Sequence, residues 1–162
     1  MMRPWRKPRD TNVRIIVGAD HQGYLIREMV VGLLSGLGHT VEDLGTFNAV
    51  PVDYPDIAAK VAQQVSRGQA DRGILVGGTG LGMCIVANKF PGVRAALCHD
   101  ELIAEMSRRH NDANILCLAA DILHEQSLDR LIQVWLDTAF DGGRHLRRVE
   151  KINALERKLL LG

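Results

Sequence analysis

Aromatic side chains are scarce in this chain, 4% of 162 residues, and neither sign of charge prevails, with a formal net charge of +1. A surface that stacks bases and neutralises phosphate backbones needs both, so no nucleic acid is expected as a partner. No apolar run is long enough to span a bilayer, which sets a membrane aside as well. Cysteine is limited to Cys84, Cys98 and Cys117, an odd number in apolar surroundings without C-x-x-C spacing. Neither a disulfide framework nor a zinc knuckle is expected from that pattern, and free thiols point to a reducing cytoplasm. The histidines, at 21, 39, 99, 110, 124 and 145, are dispersed and form no H-E-x-x-H, so no metal is predicted. Residues 1–12 are basic and carry Pro4 and Pro8. They read as a flexible arm, not a secretory signal, because no apolar segment follows.

What remains is ordinary for one globular domain over residues 13–162: 46% hydrophobic and 24% charged residues. Its organising stretch is Gly73-Ile74-Leu75-Val76-Gly77-Gly78-Thr79-Gly80-Leu81-Gly82, running into Met83-Cys84-Ile85-Val86-Ala87-Asn88-Lys89. Ile74 to Val76 reads as a strand covered on both faces. The glycines that follow allow backbone conformations closed to other residues and close approach of a ligand. The next helix turns unpaired N–H groups toward that loop, which suits an anion or a developing negative charge. The spacing is neither a Walker loop nor G-x-G-x-x-G, so no cofactor is predicted. A tight strand-to-helix turn without a ligand is the plain alternative.

Strand and helix patterns alternate about five times. Strands are predicted at 13–17, 40–44, 74–76, 93–98 and 115–118. Between them run helices with apolar stripes such as Leu25, Met29, Val30, Leu33, Leu34 and Leu37. Tyr54-Pro55 opens one helix, Asp100 is placed to cap another, and Arg144 opens a last one with Val149, Ile152, Leu155 and Leu159 in a stripe. The alternation predicts an α/β fold: a three-layer Rossmann-like, flavodoxin-like sandwich with a five-stranded parallel sheet and helices on both faces. The last helix either lies on its own sheet or reaches a neighbouring subunit, and dimerisation is the favoured reading.

In such a sheet the strand ends are expected to collect Asp20-His21, the Gly77–Gly82 loop and His110-Asn111 at one edge. Arg144, Arg147 and Arg148 join if the last helix packs there or comes from a partner. Histidines and a carboxylate suit proton transfer, the glycine loop an oxyanion, and the arginines a phosphate. Each has a plain reading too. Asp20 caps a helix, His110 favours a helix dipole, and Arg144 and Arg148, four apart on one helical face, pair with acidic groups. His39, His99 and His124 read as surface or packing residues, and His145 stays undecided.

Gly18-Ala19-Asp20-His21-Gln22-Gly23, Asp53-Tyr54-Pro55, Gly78-Thr79-Gly80-Leu81-Gly82, Ala87-Asn88-Lys89, His110-Asn111-Asp112-Ala113-Asn114 and Gly142-Gly143-Arg144-His145 with Arg148 occur in this order. Together they resemble the type B ribose-5-phosphate isomerase and galactose-6-phosphate isomerase family, from about Val13 to Glu156. The resemblance implies a metal-free aldose–ketose isomerase that opens a furanose ring and moves a proton between C1 and C2 through a cis-enediolate. It assigns ring opening to His110, assistance at the sugar oxygens to Asp20 and His21, and enediolate stabilisation to the amides of Gly78, Gly80, Leu81 and Gly82 beside Thr79. Asn111 would bind hydroxyls, and Arg144 and Arg148 the phosphate, in a site shared between subunits of a homodimer or tetramer.

Two positions depart from that family. Its C–H base is a cysteine just before G-T-G or a glutamate after the last loop glycine; here those positions are Gly77 and Met83, which take no proton. Cys84, one residue on and near a helix start, is a stand-in candidate, although one residue turns a helical side chain by roughly 100° and a buried structural cysteine is the favoured reading. After the fifth strand Asp121 stands where many members carry a phosphate-binding arginine, and is expected to accept from sugar hydroxyls. The leading expectation is therefore a sugar-phosphate isomerase acting on ribose 5-phosphate or a related pentose, tetrose or hexose phosphate. The rivals are a non-catalytic sugar-phosphate-binding subunit that needs a partner and, more remotely, a flavodoxin-like nucleotide-binding domain.

Overall fold

Strands without a polar face must be covered on both sides, and three of the five here are of that kind. A computed structural model describes residues 12–123 and 125–161. Residues 1–11 of the expected arm, and His124, lie outside the described residues. The strands β1 (Arg14–Ala19), β3 (Arg72–Gly77) and β5 (Ile115–Ala119) are buried along nearly their whole length. The strands β2 (Thr40–Asp43) and β4 (Ala95–Leu97) are short and half-buried or exposed. All pair in parallel, in the order β2-β1-β3-β5-β4.

The parallel five-stranded sheet and its two helical layers agree with the pattern in the sequence. The strand order exchanges the last two positions of the flavodoxin order. Burial explains the exchange. Ile115-Leu116-Cys117-Leu118-Ala119 is apolar on both faces and takes an interior place, while the three-residue β4 takes the edge.

The right-handed crossover rule then decides the face of each helix. The helices α1 (Tyr24–Gly36), α4 (Glu101–Asn111) and α5 (Glu125–Asp137) cover one face, with Val30, Leu34, Ala104, Leu128, Leu131, Ile132 and Trp135 packed on Ile15, Val17, Ile74, Val76, Leu116 and Leu118. The helices α2 (Tyr54–Ser66) and α3 (Leu81–Ala87) cover the other, with Ala58, Val61, Ala62, Met83 and Ala87 on Ile16, Leu75, Ile115 and Cys117. Alternate residues of each strand feed the two cores, as a pleat requires.

Asp100 caps α4, accepting from the Ile103 amide at 2.8 Å. The last helix, α6 (Arg144–Leu161), does not lie on its own sheet. It meets the body through buried Val149, while Ile152, Leu155 and Leu159 of its stripe are 47%, 63% and 84% exposed. No helix of the described residues is long and apolar enough to cross a membrane.

Candidate active site

The strands β1 and β3 are neighbours, yet α1 leaves β1 toward one face and α3 leaves β3 toward the other. Such a switch point opens a crevice at the carboxyl ends of the strands. The turn after β1 and the glycine loop after β3 line it.

Asp20 is 6% exposed. Its Oδ1 accepts from the amides of Gln22 at 2.9 Å and Gly23 at 3.0 Å. Its Oδ2 meets no donor among the described residues and stands 3.4 Å from where a Cβ on Gly77 would lie. His21 Nδ1 accepts from the Val52 amide at 3.2 Å. A neutral ring is thereby left with its proton on Nε2, ready to donate.

The loop itself is built for close approach. Gly80 has φ +73, and a Cβ there would lie 2.8 Å from the Leu118 carbonyl oxygen. Among the described residues no acceptor meets the backbone amides of Gly78, Thr79 and Gly80. Consecutive unpaired donors of this kind form an anion-binding concavity. Thr79 Oγ1 accepts from the Leu81 amide at 3.3 Å, and the Tyr54 ring packs against Gly82. Asp121 is tied to the loop by its amide, which donates to Gly78 O at 3.0 Å. Its carboxylate and the Gln22 side chain both face Gly78. Asp20, His21, Thr79, Gly78, Gly80, Leu81, Gly82 and Asp121 thus come together as expected.

His110 and Asn111 do not join them, which corrects the expectation of one common edge within a chain. A helix between parallel strands runs back against them, so α4 starts at the carboxyl end of β4 and finishes at the amino end of β5. The five residues of β5 alone span roughly 17 Å. At that opposite edge a second cluster forms. The His110 and His145 rings stack with centroids 4.2 Å apart and 5° between planes. Arg109 fixes the geometry: its carbonyl accepts from the Asp141 amide at 3.0 Å, and its Nε donates to the Asp141 carboxylate at 3.1 Å. Arg144 Nε donates to His145 Nε2 at 3.4 Å. Burial and then the positive charge of His110, Arg144 and Arg148 lower the pKa of His145.

His110, Asp141 and His145 place ligand-type atoms within 4.8 Å of one another. Rings stacked face to face carry parallel in-plane lone pairs, which do not converge on one cation. The cluster, with Arg109 and Arg144 beside it, includes His145, a residue undecided by pattern alone. Its signal was the Gly-Gly-Arg-His run, which places His145 on the first turn of α6.

Cys84 is corrected as a stand-in base at the loop. Its thiol donates to the Ala95 carbonyl at 3.5 Å and receives Asn88 Nδ2 at 3.6 Å, against β4. One residue along the helix turns it off the direction a side chain at 83 takes. The neighbouring Cys117 thiol, with help from Asn88, holds Cys84 down to about 7. Burial raises Cys98 to about 11.

Known proteins share the sequence pattern and the fold. The chain matches the Ribose/Galactose Isomerase family over residues 15–152. It is 39% identical over 145 residues to ribose-5-phosphate isomerase B of Escherichia coli, covering 90% of this chain and 97% of that one. To a putative sugar phosphate isomerase of Bacillus subtilis it is 41% identical over 149 residues, covering 91% and 100%. Among solved structures, Clostridium thermocellum ribose-5-phosphate isomerase B superposes with a TM-score of 0.87 at 46% identity, covering 90% and 98%. Ribose-5-phosphate isomerase B of Mycoplasma genitalium, solved with bound ribulose-5-phosphate, gives 0.85 at 37%, covering 90% and 96%. Matched along nearly its whole length in both sequence and fold, the chain belongs to the ribose/galactose isomerase family.

Proposed function

We propose that the protein interconverts an aldose phosphate and its ketose, ribose 5-phosphate and ribulose 5-phosphate or a close pentose, tetrose or hexose analogue, in a cleft completed by a second copy of the chain. The unpaired amides of Gly78, Thr79 and Gly80 beside Asp20 and His21 carry this reading. An enediolate needs fixed donors where its negative charge develops, in a place that does not reorganise during the step.

The loop half holds the reacting carbons. His21 Nε2–H donates to a sugar oxygen, and Asp121 accepts from a hydroxyl while repelling the phosphate from that end. The second half holds the rest: His110 opens the ring, Asn111 binds hydroxyls, and Arg144 and Arg148 grip the phosphate as charge-assisted donors. The two halves of one chain are too far apart for one small sugar phosphate to touch both. A two-fold dimer presents the loop half of one copy to the histidine half of the other and makes two such sites. Exposed apolar side chains flank both halves, Leu81 and Ile85 at the loop and Ile152, Leu155 and Leu159 on α6, as a surface awaiting a partner does. Free thiols at Cys84, Cys98 and Cys117 suit the cytoplasm as the place of work.

The test is proton exchange in deuterated water, with the purified protein alone and a panel of pentose, tetrose and hexose phosphates. Turnover with exchange at C2 of one of them is expected. Binding without exchange would instead favour a non-catalytic subunit that needs a paralogue.

A further inference from the structure

We propose that Asp20 Oδ2 is the base that carries the proton between C1 and C2, an assignment that rests on the isomerase reading above. Gly77 and Met83, at the positions where the family resemblance leads one to seek that base, have no proton acceptor. Cys84 is turned to the Ala95 carbonyl. One group takes up the vacated role by position. The two oxygens of Asp20 are differently employed: Oδ1 is held by the Gln22 and Gly23 amides, and that grip aims Oδ2 into the crevice without a donor of its own. Oδ2 lies 3.4 Å from where a side chain at 77 would begin; Met83 Cγ lies 3.3 Å and the Gly80 nitrogen 3.7 Å from the same point. Base and oxyanion donor therefore flank the narrow gap beside Gly77, and the Met83 side chain closes its third side.

The step balances within the substrate. From the linear ketose phosphate, Oδ2 takes a proton from C1. The C–H electron pair becomes the C1–C2 double bond, and the carbonyl pair of C2 moves onto O2, facing the loop amides. The hydroxyl proton on O1 passes to O2. The C1 carbonyl then forms, and C2 recovers the proton from Asp20. No oxidant or reductant is involved.

The experiment uses ribulose 5-phosphate, which has no furanose ring to open, and follows exchange of its C1 proton with deuterated water. Ring-opening roles do not enter that readout. Asp20→Asn keeps an oxygen for the two turn amides and removes the base. Its exchange rate is expected to fall about 10²- to 10⁴-fold, the range for a lost general base, while calorimetry still shows ketose phosphate binding. Adding Gly77→Cys to Asp20→Asn places a thiol in the same space and is expected to restore part of the exchange. If Asp20→Asn fails to fold by circular dichroism, Asp20→Ser serves, since its hydroxyl can accept from the same amides. Exchange within about tenfold of wild type in a folded variant overturns the assignment. Loss of exchange in Cys84→Ser or Asp121→Asn with survival in Asp20→Asn moves the base there and overturns it too. A wild-type protein that exchanges with none of the panel of sugar phosphates overturns the isomerase reading itself, and this assignment with it.

Discussion

The His110 and His145 rings lie face to face, 4.2 Å apart and 5° from parallel, with the Arg144 guanidinium donating to His145 Nε2. Two stacked imidazoles beside an arginine tolerate little added positive charge. His145 accordingly has a pKa below its ordinary value, from burial first and from the neighbouring cations second. Between that value and about 6.5 the unfolded chain binds a proton that the folded chain does not. The stabilising contribution is therefore complete above about pH 6.5 and is lost as the pH falls below it. Thermal melting from pH 7.5 to 5.5 is expected to show this loss, and His145→Phe to flatten it.

A cleft shared between subunits has a genetic signature. Asp20→Asn disables the loop half and His110→Ala the histidine half. Unfolded together and refolded, the two inactive proteins should form mixed dimers with one doubly damaged and one intact site. Activity of about a quarter of wild type is the expected recovery. No recovery would mean that both residues act within one chain.

Arg144 and Arg148 are exposed, and Arg148 has no carboxylate partner among the described residues. Replacing either with Met should leave the melting temperature nearly unchanged. Each substitution should weaken sugar-phosphate binding by about 2 kcal/mol, some thirtyfold in KM, the worth of a charge-assisted hydrogen bond. Competition by inorganic phosphate should weaken in parallel.

Cys84 is half-buried with a thiol held down to about 7, while Cys98 is buried and raised to about 11 and Cys117 is buried and raised well above its ordinary value. The thiolate is the nucleophile. Iodoacetamide at pH 7.5 should therefore label Cys84 alone in the native protein, and peptide mass mapping would show it. Labelling of Cys117 first would contradict the buried placement of β5.

Gly80 and Gly92 both have φ +73, and they differ in surroundings. A Cβ on Gly80 meets Leu118 O at 2.8 Å, whereas one on Gly92 meets nothing within 4 Å. Gly92→Ala should cost about 1 kcal/mol, the left-handed backbone penalty alone. Gly80→Ala should cost clearly more and abolish activity, because the loop must move off the carbonyl. Urea denaturation of the two variants measures the difference.

Much of this was legible in the chain itself. The apolar run Ile74-Leu75-Val76, the Tyr54-Pro55 helix start and the Asp100 cap are local signals, set by side-chain period and by hydrogen bonds within a few residues. The loop half of the site was legible for the same reason: Asp20 and Gly78 each follow a strand directly, and neighbouring parallel strands bring their carboxyl ends together. His110 does not share that edge because it closes α4, and a helix that joins two parallel strands ends at their amino edge, opposite the strand ends that carry Asp20 and Gly78. Cys84 was legible only as two alternatives, because a one-residue step around α3 decides whether a thiol meets the loop or the Ala95 carbonyl.

By itself the sequence determined the succession of strands and helices, the glycine-rich turn and the residue types available for proton transfer and phosphate binding. These follow from apolar periodicity, from backbone freedom at glycine and from the acid–base chemistry of single side chains. Only the tertiary structure decided that β5 slips between β3 and β4, that His110 stacks on His145 at the far edge, and that Asp20 Oδ2 faces the space beside Gly77. Those are relations between distant segments, set by which strands bury both faces and by helices that must run back against the strands they connect.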